Sequence, residues 1–237
     1  MHLTTIIPCL DYADLLRISL PSAVAASDRV VVVTSPRDRA TRRLCDEYGV
    51  TCLATDRWRR GGAVLNKAGA LDDAIEAADS TDWLLLLDAD IVLPADARSR
   101  LESLHLDRMT LYGAYRRMCR TPSEWRAYAE HGNAELLPLG PLLWVRKPQR
   151  RPAGSPMLNP AALQGYFQLW NAGGRPRRLS DYPTAAQYDV ELALRWPDHL
   201  RRMLPPERFT VIHLGENRAN WQGRVTETWR EEIRNAF

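Results

Sequence analysis

Four short apolar runs, at residues 3–7, 30–33, 51–54 and 83–87, are separated by segments with helical spacing. That alternation constrains the fold more than any other feature. The run at 30–33 is four consecutive valines, the pattern of a strand covered on both faces. Residues 12–26 carry Leu15, Leu16, Ile18, Leu20 and Val24 at helical spacing, with Asp11 as a candidate N-cap and Pro21 as a candidate kink. Residues 38–48 read as a helix closed by Gly49. Residues 66–78 place Ala68, Leu71, Ala74, Ile75 and Ala78 on one side of another helix. Strands alternating with such helices predict right-handed βαβ units. The expected fold is α/β, a mostly parallel sheet with helices on both faces.

The rest of the chain is less regular. Strands are predicted at 109–117, 163–170 and 209–213, and helices near 95, at 123–129, at 184–195 and at 226–235. Residues 136–160, rich in Pro, Gly and Arg, predict a long loop. No repeat or linker interrupts the chain, so one domain over 1–237 is expected, with a ligand-binding half at 1–94 and a second half at 95–237. No apolar run approaches the roughly 18 residues of a membrane span. The first residues enter a strand-like run with no basic leader. The four cysteines show neither C-x-x-C nor zinc spacing, so free thiols and a cytoplasmic location are expected.

The chemistry concentrates at two strand ends. Leu84 to Leu87 run into Asp88-Ala89-Asp90, which delivers two carboxylates where open α/β sheets bind ligands. Paired carboxylates attract Mn²⁺ or Mg²⁺, which in turn binds phosphate oxygens. The competing reading is a helix N-cap, by Asp90 or by Asp96. The strand at 209–213 ends in His213-Leu214-Gly215, followed by Asn220-Trp221-Gln222-Gly223-Arg224. A neutral imidazole at 213 suits Mn²⁺ as a third ligand, and the planar fork of Arg224 suits a diphosphate.

In this order, Thr5-Ile6-Ile7-Pro8, Asn66-Lys67-Ala68, the Asp88–Asp90 strand end and the late His-x-Gly resemble the GT-A-fold, family 2-like glycosyltransferases, and among them small phage-encoded members. The resemblance is strongest over 3–94 and 209–224. It implies a Rossmann-like fold and a metal-dependent, inverting transfer from a nucleotide-sugar, most simply a UDP-sugar. It places the metal on Asp88, Asp90 and His213. It places the nucleotide and its phosphates on Pro8, Leu10, Asp11, Thr34, Asn66, Lys67, Asp88, Ala89, Trp221 and Arg224. Many members carry an acidic pair after the second strand that reads the base. Here Thr34-Ser35-Pro36 stands there, with Asp38 beyond. An inverting enzyme also needs a carboxylate to take the acceptor's proton. Asp189, in Tyr188-Asp189-Val190-Glu191, is the first candidate and Asp181 the second. Asp189 as a helix-start residue serving the dipole is the competing reading. Gly165 and Tyr166 would line the acceptor side.

The chain carries 32 basic and 29 acidic residues, a net +3 that hides an uneven distribution. The stretch 136–180 holds no Asp or Glu but contains Arg146, Lys147, Arg150, Arg151, Arg175, Arg177 and Arg178. With Trp144, Tyr166, Phe167 and Trp170 interleaved, it predicts a surface that attracts a polyanion and stacks on exposed bases. The expected acceptor is therefore a 5-hydroxymethylpyrimidine in phage-type DNA, with Arg150, Arg151, Arg177 and Arg178 on the phosphates. The alternatives are a protein or glycan acceptor, a nucleotidyltransferase, and a non-catalytic nucleic-acid-binding module.

Overall fold

The computed structural model describes residues 1–78, 82–132, 135, 137–140, 165–173, 184–185, 188–215, 224 and 229. In chain order the elements are β1 (Leu3–Pro8), α1 (Ala13–Ala26), β2 (Arg29–Thr34), α2 (Arg39–Tyr48), β3 (Thr51–Ala54), a 3₁₀ segment (Asp56–Gly62), α3 (Lys67–Ala78), β4 (Trp83–Leu87) and β5 (Ile91–Val92). There follow α4 (Ala97–Ser103), β6 (Leu111–Gly113), β7 (Tyr115–Cys119), α5 (Pro122–His131), β8 (Phe167–Asn171), α6 (Tyr188–Ala193), a second 3₁₀ segment (Asp198–Leu200), β9 (Arg201–Met203) and β10 (Thr210–Leu214).

Among the described residues a seven-stranded sheet has the order β3-β2-β1-β4-β8-β6-β9. The strands β3, β2, β1 and β4 are mutually parallel, and β8 runs antiparallel to both of its neighbours. Alternation along each strand divides the core. Leu3, Ile7, Val30, Val32, Trp83, Leu85 and Leu87 pack with residues of α1, α2 and α4. Ile6, Val31, Val33, Leu84 and Leu86 pack on the other face with residues of α3 and α6. The expected mostly parallel sheet with helices on both faces is thus present. No helix among the described residues is long and apolar enough to cross a membrane.

Several local expectations change. The predicted strand at 109–117 breaks at Ala114. Its first part, β6, joins the large sheet, and its second part, β7, joins a three-stranded sheet of order β5-β10-β7. Pro21 lies inside α1, which is unbroken. Asp11 is not the N-cap of α1. Tyr12 holds that position with no side-chain cap, and Asp11 takes a left-handed φ of 61°. α2 is closed by Gly49, with φ 62°, as its sequence suggests, and Asp38, which the sequence reading did not single out as a cap, holds its start. α6 is shorter than the predicted helix at 184–195. The 3₁₀ segments, β5 and β9 were not expected from the sequence. The predicted helix at 226–235, except Trp229, and most of the predicted loop at 136–160 lie outside the described residues.

Two pairings position the site. Because β8 is antiparallel to β4, the start of β8 lies at the C-terminal end of β4. Leu87 pairs with Phe167, and Asp88 N–H donates to the Tyr166 carbonyl at 3.1 Å. In the small sheet His213 pairs with Ile91 on one side and with Met118 on the other.

Candidate active site

The β5–β10 pairing carries His213 back to the acidic strand end. The His213 Nε2 atom lies 3.3 Å from Asp90 Oδ2, with both side chains about seven-eighths buried. On the other side Arg116 Nη1 donates to His213 Nδ1 at 2.8 Å. A guanidinium only donates, so Nδ1 accepts and the neutral ring carries its proton on Nε2, toward Asp90. Burial works against the Asp90 charge, but His213, Lys67 and a backbone hydrogen bond together outweigh it and hold the carboxyl below the usual range. The other carboxylate oxygen, Asp90 Oδ1, is buried with no hydrogen-bond partner among the described residues. Asp90 does not cap α4, since no side-chain bond caps that helix.

Asp88 is used differently. It forms an ion pair with Lys67, whose ammonium also sits 5.0 Å from the Tyr188 ring centroid. Burial opposes the Lys67 charge, yet the Asp88 carboxylate keeps the ammonium more basic than a free lysine. Burial raises the Asp88 pKa, with Lys67 pulling it back and the Asp90 charge adding to the rise. Among the described residues no three His, Cys, Asp or Glu side chains gather closely enough to hold a metal ion. Asp90 and His213 touch, while Asp88 is turned to Lys67. A hard divalent cation still fits the donor chemistry, because the open Asp90 Oδ1 is a buried, anionic oxygen of the kind such ions take.

The residues expected at a nucleotide divide into two groups. Leu10 and Asp11 line a cleft of about 890 Å³ beyond the ends of β1, β2 and β3, together with Ser35–Asp38 and Thr55–Arg60. Trp58 lies at its wall with an indole N–H that has no partner among the described residues. The remaining members build the scaffold. Pro8 is the buried end of β1. The Ala89 carbonyl accepts from Ser19 Oγ at 2.6 Å. Asn66 Oδ1 accepts from Gly69 N–H at 2.9 Å and so caps α3. Thr34 donates to Asp38, whose carboxylate also takes Asp11 N–H and both Thr41 donors. Asp38 is thus committed to tying the β1–α1 turn to α2.

Arg224 makes a two-pronged contact with Asp14 on α1, with Nη2–Oδ2 at 2.6 Å, and donates to the Asp11 carbonyl at 2.8 Å. Its guanidinium covers the Tyr12 ring at 4.9 Å. The fork expected to hold a diphosphate is here spent on α1. Tyr12 Oη is itself buried without a partner among the described residues. Burial raises its pKa, and the nearby Asp90 charge adds to that rise.

Among the residues expected on the acceptor side, Gly165 N–H donates to Asp189 Oδ2 at 2.8 Å, and Val190 N–H donates to Asp189 Oδ1 at 2.9 Å. A Cβ at Gly165 would fall on Tyr188 Oη and lie 2.7 Å from Asp189 Cβ, so only glycine allows this approach. Tyr166 is buried, and its hydroxyl donates to the Ala114 carbonyl. Phe167 and Trp170 are also core residues, at 0% and 2% exposure. The expected stacking of these three aromatics on an exposed base is therefore corrected, because their rings are consumed by the core. Asp181, Trp221, Arg150, Arg151, Arg177 and Arg178, with Trp144, lie outside the described residues.

Sequence reasoning missed Arg116, Tyr12, Asp14, Trp58 and the role of Tyr188. Only Arg116 left a usable signal, as a charged residue at an inward position of a strand that otherwise reads as half-buried.

No family model matches the chain, and no curated protein matches its sequence. Among solved structures the chain is similar to mannosyl-3-phosphoglycerate synthase from Rubrobacter xylanophilus, at 18% identity and TM-score 0.39, over 52% of this chain and 42% of that one. It is similar to glucosyl-3-phosphoglycerate synthase from Mycobacterium tuberculosis, solved with Mn²⁺, UDP and phosphoglyceric acid, at 13% identity and TM-score 0.49, over 92% of this chain and 72% of that one. It is also similar to S. aureus TarS, at 16% identity and TM-score 0.39, over 50% of this chain and 22% of that one.

Proposed function

We propose that the chain is a glycosyltransferase that moves a sugar from a nucleotide-sugar, most simply a UDP-sugar, to an acceptor hydroxyl with a divalent cation. The observation that carries this reading is the open, buried Asp90 Oδ1 at the end of β4, beside the Lys67–Asp88 pair. The neighbouring cleft of about 890 Å³ is of a size suited to a small-molecule ligand. It lies outside the C-terminal ends of parallel strands, where open α/β sheets bind nucleotides.

Asp90 would hold the cation through Oδ1, with Asp88 and His213 beside it. The cation supplies fixed positive charge to the diphosphate leaving group. The acceptor oxygen bonds to the anomeric carbon as the bond from that carbon to the phosphate oxygen breaks. The diphosphate leaves with the electron pair. Asp189 takes the acceptor's proton, and its two backbone N–H contacts hold the carboxylate in one orientation for that work. Lys67 keeps the Asp88 charge neutralised where a polyanionic donor must approach. For the acceptor, the carboxylate-free basic stretch 136–180 supports a polyanion, and we propose a hydroxymethylpyrimidine in DNA.

The test is a screen of nucleotide-sugars for release of nucleoside diphosphate, with and without Mn²⁺, and with hydroxymethylated duplex DNA against unmodified duplex. Cation-dependent release with one donor supports the transferase. Release that needs the hydroxymethyl group supports the acceptor. Turnover of free nucleoside triphosphates, with no nucleotide-sugar used, would overturn the reading.

A further inference from the structure

Arg116 is nearly buried, at 6% exposure, on β7. The parallel register pairs Met118 with His213. Residues two apart on a strand share a face, so Arg116 and His213 emerge on the same side of the small sheet. The guanidinium carbon lies 4.6 Å over the Tyr166 ring, which fixes its height, and Nη1 reaches His213 Nδ1 at 2.8 Å. Tyr166 is in turn stacked on the His213 ring, with centroids 6.1 Å apart.

We propose that Arg116 is the positioning residue of this site, acting by dictating the tautomer of His213. An imidazole that ligates a metal through Nε2 ordinarily carries its proton on Nδ1 and gives it to a carbonyl or carboxylate. Here the partner at Nδ1 is a donor, so the polarity is reversed. The ring presents Nε2–H to Asp90 Oδ2, and Asp90 Oδ1 stays open. His213 in this state orients Asp90 and does not offer a lone pair. A cation entering alone meets Asp90 first and gains His213 only if Arg116 withdraws. This rests on the cation site proposed above, but its structural half does not need a cation.

The experiment is ¹⁵N NMR of histidine-labelled protein without metal, at a pH where the ring is neutral, with a His213→Gln variant to assign the signal. The same wild-type, Arg116→Lys and Arg116→Met proteins are then titrated with Mn²⁺ alone, followed by EPR. The wild type should show the Nε2–H tautomer, Arg116→Lys should retain it, and Arg116→Met should shift toward Nδ1–H. Mn²⁺ should bind Arg116→Met more tightly, by about tenfold, the scale on which outer-shell partners tune a ligand. A structural defect would weaken binding instead. An Nδ1–H tautomer in the wild type overturns the proposal, even if neither variant folds. So does an unchanged tautomer or weaker Mn²⁺ binding in Arg116→Met. If no protein binds Mn²⁺ while the tautomers behave as expected, the proposal stands and the cation reading fails.

Discussion

Lys67→Met should lower stability through one identifiable cause, the stranded charge of Asp88. Methionine keeps the length of the stem and its packing against Tyr188, so the change reads mainly the ammonium. The two side chains are 15% and 27% exposed. Removing one partner from a fully buried pair costs about 3–5 kcal/mol, and Asp88 keeps some contact with water, so about 2–3 kcal/mol is expected. For a chain of 237 residues this corresponds to a fall in Tm of roughly 4–12 °C. The Asp90 charge nearby deepens the loss, since two carboxylates then share one strand end with no cation between them. The assay is calorimetry on four proteins: wild type, Lys67→Met, Asp88→Asn and the double variant. Neutralising both partners should recover most of the loss, with a coupling of about 2 kcal/mol between the sites. Losses that simply add, or a Lys67→Met protein as stable as the wild type, would refute the reasoning.

Gly165→Ala should destabilise by about 1–3 kcal/mol through overpacking against Tyr188 and Asp189, read as a drop in Tm. Its rate should fall further than its stability, because the same contact places Asp189. Asp189→Asn should cut turnover by about 10²–10⁴ with little change in donor affinity, measured by steady-state kinetics, and Asp181→Asn with that effect in its place would move the base to Asp181. Asp38→Ala removes the cap of α2 and the acceptor for Asp11 N–H, and should cost about 1–2 kcal/mol by denaturant unfolding. Far from the site, hydrogen bonds from Arg98 and Leu3 N–H hold Asp28 below the ordinary aspartate value of 3.8. A depressed carboxyl contributes stability above 3.8 and loses it as pH falls through its folded value, so Arg98→Ala should be less stable than wild type near neutral pH, with the gap closing in acid.

The parallel half of the sheet was legible because β2 and β4 carry continuous apolar runs and α2 is closed by Gly49. The break at Ala114 was not legible. Residues 109–117 are uniformly strand-like, and the switch between sheets is decided by pairing with β9 and β10, which follow some ninety residues later. The site divides in the same way. Asp90 and His213 are 123 residues apart, yet each stands at the end of an apolar strand, which is a local signal. Arg116 shows locally only as a charge at an inward strand position, and its meaning comes from a ring 97 residues away. Arg224 looked like a ligand-binding fork because its partner, Asp14, lies 210 residues earlier. Charge and aromatic content near 166–170 suggested an interface, but burial is a tertiary property, and Phe167 and Trp170 face the core.

The proposed function requires that the open oxygen of Asp90 hold a cation that binds a nucleotide diphosphate. Calorimetric titration of wild type and Asp90→Asn with UDP, with and without Mn²⁺, tests it most directly. Asparagine keeps the shape and can still accept from His213, so only the anionic oxygen is lost. Mn²⁺-dependent binding of UDP is expected in the wild type, and its loss in Asp90→Asn. Equal, Mn²⁺-dependent binding in both proteins would contradict it.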